Sequence, residues 1–414
     1  MTKRRPIRWA LLGTTATLVA ACSLPAIPAV GGGPSGVVHP AARTRDCAQP
    51  SKEGDFQRAT PEEVDLDPVA VEEALRFATG NLAASVRIYR HDCLVATSAF
   101  DPDTEYVPAG LWSLTKGVVA VLVGRAVELG RLSVDDTLGK YFPEADAKHG
   151  AIAVRQLLHQ NSGLAFHWAN DVAAGGTDSI RFTLGLPFDH EPGTYFEYAQ
   201  TTVSLLVELI ERATGLDIQT FAAQQLFGPL GIPRDRWSWA RDEFGNSFGY
   251  AFLAMAPLDL ARIGTLLLHE GRWEGRQLID PRYVREMSEP SNTNPGYGYL
   301  VWTNRGDWFV TPSSLVRKTK DRPVIGSAPR DTYALSGMFD QLIWVIPSLD
   351  MVVVRTGFFG VSNWAHQFFR ILMKGVRDVK VADPGPLGPE PMADLSEWGS
   401  LIDLATWPGL VRPS

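Results

Sequence analysis

Apolar and polar positions change period several times along this chain, and each pattern predicts a different element. Val69 to Ala78, following Pro61-Glu62-Glu63, repeats with helical period, while Ala83 to Ala99 reads as two strands meeting at His91-Asp92. Towards the other end, Gln341-Leu342-Ile343-Trp344-Val345-Ile346 and Met351-Val352-Val353-Val354-Arg355 flank Pro347-Ser348-Leu349-Asp350, a hairpin signal. Asn363 to Lys374 then reads as an amphipathic helix. Between these ends, helical segments recur at Val154 to Gln160, Thr202 to Thr214 and Pro257 to His269. Such an order predicts an α+β fold: an antiparallel β-sheet flanked by N- and C-terminal helices, with a mostly helical subdomain over about residues 132–268.

One segment is apolar nearly all round. Val118 to Val123, continuing into Arg125-Ala126-Val127, reads as a buried central helix. It opens with Leu111-Trp112-Ser113-Leu114-Thr115-Lys116-Gly117, where Ser113 and Lys116 stand three apart and so share one helix face. A serine hydroxyl is a weak nucleophile until a neighbour takes its proton, and a lysine held in an apolar setting is one group able to help. Ser113 and Lys116 make the one S-x-x-K match in the chain, the pattern of penicillin-recognising enzymes.

Composition adds the compartment. The chain has 414 residues, 45% hydrophobic and 21% charged, enough for one large domain or two small ones, and its net charge of −7 gives no electrostatic reason to expect nucleic-acid binding. Lys3, Arg4, Arg5 and Arg8 precede a mostly apolar run from Trp9 to Ala21, the plan of a signal peptide over 1–21 and too short for an ordinary transmembrane span. The run ends Leu18-Val19-Ala20-Ala21-Cys22, which resembles a bacterial lipobox and makes Cys22 the expected lipidation site. The expectation is an exported lipoprotein facing the extracytoplasmic side and touching the membrane through its lipid anchor only. A plain secretory signal with an incidental Cys22 is the alternative. Residues 22–58, rich in Ala, Pro, Gly and Ser, are expected as a flexible tether, 59–380 as the folded body and 381–414 as a Pro-rich extension in which Trp398 and Leu401 could pack on the body. With Cys22 lipidated, Cys47 and Cys93 remain, an even pair suited to one disulfide in an oxidising compartment, against the reading of two unrelated thiols.

Partners for Ser113 come from a resemblance. Glu191-Pro192-Gly193-Thr194-Tyr195-Phe196-Glu197-Tyr198-Ala199-Gln200-Thr201 resembles the second motif of class C β-lactamase-like serine hydrolases, a Pro-Gly-Thr turn and then Tyr-x-Asn, or a variant, opening a helix. Leu132-Ser133-Val134-Asp135-Asp136, Gln156-Leu157-Leu158 through Asn161-Ser162-Gly163-Leu164, Leu260-Ala261-Arg262-Ile263-Gly264 and the closing strand pair are similar in kind and keep the family's order over about residues 60–380. The resemblance implies Ser113 as the acylated nucleophile, Lys116 as its proton-network partner and Tyr198 as phenolic base or proton shuttle. The family's third motif, Lys-Thr-Gly or His-x-Gly, falls at Leu335-Ser336-Gly337, followed by Met338. It implies Gln200, Leu335, Ser336 and Gly337 as substrate-binding residues and the backbone N–H groups of Ser113 and Met338 as the oxyanion hole. Gly337 is expected to leave room for close approach of substrate to the strand.

Two departures shape the expected chemistry. Leu335 replaces the cation that helps bind a carboxylate, and Gln200 replaces Asn. The resemblance is closer to the esterase and 6-aminohexanoate-dimer-hydrolase branch, which implies hydrolysis of a small ester or amide. A non-hydrolytic surface lipoprotein holding peptidoglycan fragments or a partner is the alternative, and β-lactamase or D-alanyl-peptidase activity a lesser one. His159, His167 and His190, the histidines nearest the motifs, have no metal-ligand spacing, so no metal is expected; His366 on the terminal helix is expected as a packed or surface residue, and no cofactor is expected.

Overall fold

The structure is a computed structural model that describes residues 44–312, 318–361 and 363–388. The signal peptide and Cys22, and the tail residues from 389 onward with Trp398 and Leu401, lie outside the described residues. The elements that position the site are α1 (Pro68–Gly80), β1 (Ala83–Arg90), β2 (Cys93–Thr97), α2 (Leu114–Glu128), α3 (Trp168–Ala173), α4 (Thr201–Thr214), α5 (Pro257–Leu268), β3 (Trp302–Thr303), β4 (Tyr333–Gly337), β5 (Gln341–Ile346), β6 (Met351–Gly357) and α6 (Trp364–Lys374).

Six strands form one antiparallel sheet in the order β2-β1-β6-β5-β4-β3. The order brings the first and last parts of the chain side by side, with Ile88 opposite Val353 and Ile343 opposite Val354. Strand alternation then assigns side chains to two faces. On one face Trp344 packs among Trp364, Phe368 and Phe369 of α6, with ring centroids 5.5, 5.7 and 5.0 Å away. On the other, α5 lies so close to the sheet that a Cβ on Gly264 would stand 2.6 Å from Val352 Cγ1 and 2.9 Å from Ile343 Cγ2. The expected helices and the expected hairpin are all present, so the α+β architecture holds. Pro257–Leu268 differs from expectation in its place: it packs on the sheet and does not close the helical subdomain.

Local chemistry explains the element ends. Asp67 caps α1 by accepting from Val69 N at 2.8 Å and Ala70 N at 3.3 Å, with Pro68 at the first helical position, where no N–H is needed. His91 and Asp92, at φ 52° and 59°, make the two-residue left-handed turn that joins β1 to β2. Immediately after that turn Cys93 is bridged to Cys47, with Cα atoms 5.1 Å apart, so the expected disulfide is present.

Residues 44–58, expected as the end of a flexible tether, are instead held on the body. Cys47 and Phe56 are buried, Cys47 N donates to His91 O at 2.9 Å, and the buried Arg262 donates to Ser51 O at 3.3 Å and to Gly54 O. A stretch poor in apolar residues is anchored here by one bridge, one ring and its own backbone N–H and carbonyl groups. At the other end, the first residues of the extension run along α6, where Arg370 pairs with Asp383 at 2.6 Å.

Candidate active site

Ser113 is the N-cap of α2, and Leu114 to Ala126 behind it are all buried, as the all-round apolar pattern requires. The chain enters that helix through Trp112 at φ 51°, a left-handed turn that presents the half-buried Ser113 at the protein surface. One turn on, the Lys116 side chain has no exposed surface. Its Nζ lies 3.0 Å from Ser113 Oγ, 2.6 Å from Gln200 Oε1 and 3.4 Å from the carbonyl oxygen of Tyr250. Burial lowers the Lys116 pKa from 10.5 to about 7, opposed by the negative charge of Asp171.

Tyr198 is buried between Tyr297, edge-on at 6.0 Å, and Trp302 at 5.9 Å. The Lys116 nitrogen sits 4.6 Å from the centre of its ring. Burial pushes the phenol up to about 12, opposed by the neighbouring Ser113 hydroxyl. The two groups are thus moved apart by the same cause acting on opposite charge types: a lysine eased towards its neutral amine, a tyrosine kept as its neutral phenol.

The structure brings Ser113, Lys116, Tyr198 and Gln200 together and places the third-motif residues differently from expectation. Leu335 does not line the cleft. It is fully buried, and its Cγ would be 2.4 Å from a Cβ on Gly117, so the side chain fills the seam between β4 and α2. The space beside Gly337 is taken by the nucleophile turn: a Cβ there would stand 2.1 Å from Leu111 O and 2.8 Å from Leu114 N. The glycine is needed for strand-to-turn packing, where the sequence suggested room for substrate. Ser336 points to the other face and lines a cavity of about 260 Å³ with Trp302 and Trp344, while Met338 opens the turn after β4 and is exposed.

Two contributors have no motif of their own. Asp171, buried on the six-residue α3, accepts from the backbone N of Gln200, from Thr201 N at 3.1 Å and from the Thr201 hydroxyl, and so holds the first turn of α4. Burial raises its pKa, opposed by those hydrogen bonds and by Lys116. The Tyr250 carbonyl reaches Lys116 because Gly249 packs directly on α4; a Cβ there would meet Val203 O at 2.4 Å. Among the described residues no three His, Cys, Asp or Glu side chains come together as a metal site.

Comparison with known proteins gives the family and the fold. The Beta-lactamase family model matches residues 69–370. The chain belongs to the beta-lactamase family. A 6-aminohexanoate-dimer hydrolase of Paenarthrobacter ureafaciens is 22% identical over 292 residues, 64% of this chain and 68% of the relative. A beta-lactamase of Escherichia coli K12 is 24% identical over 257 residues, 55% of this chain and 65% of that one. Among solved structures, a putative 6-aminohexanoate-dimer hydrolase from Bacillus anthracis shares the fold at TM-score 0.59 and 17% identity, covering 78% of this chain and 88% of its own. Beta-lactamase-family membership makes the chain a serine hydrolase, and the S-x-x-K turn at the surface end of α2 is where the sequence pattern and the fold coincide.

Proposed function

We propose that this protein hydrolyses a small ester or amide through an acyl-enzyme on Ser113. The observation that carries the reading is the 3.0 Å separation of Ser113 Oγ from a wholly buried Lys116 Nζ. In its neutral form the amine has two hydrogens and one lone pair. Gln200 Oε1 and the Tyr250 carbonyl supply acceptors for the two hydrogens, which leaves the lone pair for the Ser113 proton. Lys116 is the base in this scheme, and Tyr198, protonated at neutral pH, is the shuttle.

Ser113 Oγ attacks the substrate carbonyl carbon as its proton passes to Lys116. The oxyanion so formed is received by the N–H groups of Ser113 and Met338, donors of a kind worth roughly 10²–10³ in rate each. Collapse breaks the ester or amide bond, and the leaving alcohol or amine takes a proton relayed through the Tyr198 hydroxyl. Water then attacks the acyl-enzyme along the same proton path and releases the acid. The buried Leu335 leaves the third motif without a cation, which favours neutral substrates over those recognised through a carboxylate, β-lactams included.

Turnover of p-nitrophenyl esters and of nitrocefin, with Ser113→Ala as blank, tests the proposal. Ester turnover that depends on Ser113, with little nitrocefin cleavage, is expected; ester turnover that survives Ser113→Ala contradicts it.

We also propose that the protein is exported and anchored through a lipidated Cys22. The Cys47–Cys93 disulfide supports an oxidising compartment. Labelling with a palmitate analogue in a bacterial host should be lost in Cys22→Ser, and labelling kept in that variant contradicts the anchor.

A further inference from the structure

Next to Ser113 the surface carries bulky rings where a solvated rim is ordinarily polar. Trp112, Phe252, Phe358 and Phe359 are 37%, 48%, 63% and 55% exposed. They form one continuous patch through the half-buried Phe339: Trp112 lies 6.2 Å from Phe252 and 5.3 Å from Phe339, which lies 5.8 Å from Phe358 and 4.7 Å from Phe359. A contiguous exposed apolar patch of this kind marks a binding surface.

The backbone beneath the patch points the same way. Trp112, Phe252 and Phe339 adopt φ of 51°, 64° and 63°. Such conformations are costly for bulky residues and gather at functional sites, whereas glycine adopts them freely. The turns themselves require no ring. From below, the fully buried Arg355 donates to the carbonyl oxygens of Phe339 at 3.2 Å, Asp340 at 2.8 Å and Phe358 at 2.8 Å. Asp340 in turn accepts from Gly360 N at 2.9 Å. One guanidinium therefore fixes both ring-bearing turns in relation to each other.

We propose that this aromatic lip receives the apolar chain or ring of the substrate, so that the ester or amide cleaved at Ser113 bears an extended apolar group beside the scissile bond. The inference rests on the hydrolase reading above. Trp112 immediately precedes Ser113, so a group attached to a carbonyl held at Ser113 Oγ meets the lip first. Rigid rings present a large contact area to it, and each methylene drawn from water onto the lip raises kcat/KM about two- to fourfold.

Two substrate series decide it, both used below their aggregation limits: p-nitrophenyl acyl esters from acetate to octanoate, and acetate esters of ethanol through octanol. In at least one series kcat/KM should rise about tenfold or more from shortest to longest. Phe358→Ser/Phe359→Ser, two exposed positions, should cut that ratio at least about fivefold. Val69→Ser, an exposed apolar position on α1, should keep it. Flat profiles in both series, from an enzyme whose acetate turnover requires Ser113, overturn the lip and leave the hydrolase reading standing. A ratio that survives the double substitution puts the chain elsewhere and also overturns it. Acetate turnover that does not require Ser113 removes the hydrolase reading and the lip together.

Discussion

The Leu335 side chain packs directly on Gly117, with its Cγ 2.4 Å from where a Cβ on that glycine would stand. The strand that closes the site and the helix that bears the nucleophile thus touch through a leucine and a missing methyl group. Gly117 follows Lys116 directly, so any widening of this seam moves the base.

Gly117→Ala should therefore destabilise the fold by about 1–3 kcal/mol through overpacking. Leu335→Ala should cost about 2–5 kcal/mol through the cavity it leaves. The double variant should be more stable than the sum of the two losses implies, because each change relieves the other. Denaturant unfolding of the four proteins reads the coupling; strict additivity would show that the seam is not a direct contact.

The pH dependence of acylation should report Lys116. The lysine must be neutral to accept the serine proton, and burial brings its pKa to about 7. Hence kcat/KM for a neutral ester should rise tenfold per pH unit below that value and level off above it, with no second limb from Tyr198, held up at about 12. A profile that is flat from pH 5 to 9, or that falls through neutrality, would contradict Lys116 as the base.

Tyr198→Phe keeps the ring packed between Tyr297 and Trp302 and removes only the hydroxyl. It should slow acylation by roughly 10²–10⁴, and Lys116→Ala by at least as much. Burst-phase or single-turnover kinetics separate this step from deacylation, and near-normal acylation by Tyr198→Phe would remove the shuttle.

Asp171→Asn tests the buried carboxylate that holds α4. The amide loses acceptor capacity towards Gln200 N, Thr201 N and the Thr201 hydroxyl, and unfolding should become easier by about 1–3 kcal/mol. Asp171 also raises the Lys116 pKa, so its neutralisation should lower that pKa further and move the rising limb of the pH profile to lower pH. A stability loss with an unmoved profile would confine Asp171 to a capping role.

The sequence was most legible where a pattern repeats or a motif has fixed spacing. The all-round apolar run after Lys116 announced the buried helix, His91-Asp92 and Pro347 to Asp350 announced the turns between strands, and the turn before Tyr198 announced the second motif. What stayed hidden depends on packing between distant segments. Asp171 is an ordinary acidic residue of a short helix until α4 is laid beside it. The Tyr250 contribution comes from a backbone carbonyl, which no side-chain pattern reports. Leu335 and Gly337 were expected to face substrate, yet the space beside each is filled by the nucleophile segment, a fit visible only once β4 and α2 are docked. Residues 44–58 have the composition of a linker and are held chiefly through one disulfide and their own backbone groups.

The central claim is that Ser113 is the acylated nucleophile. Intact-mass and peptide analysis of the protein after exposure to a fluorophosphonate, beside Ser113→Ala, tests it most directly. One adduct per chain on the peptide holding Ser113, absent from the variant, is the predicted result; an adduct that persists in Ser113→Ala, or a folded wild-type protein that takes none, would contradict it.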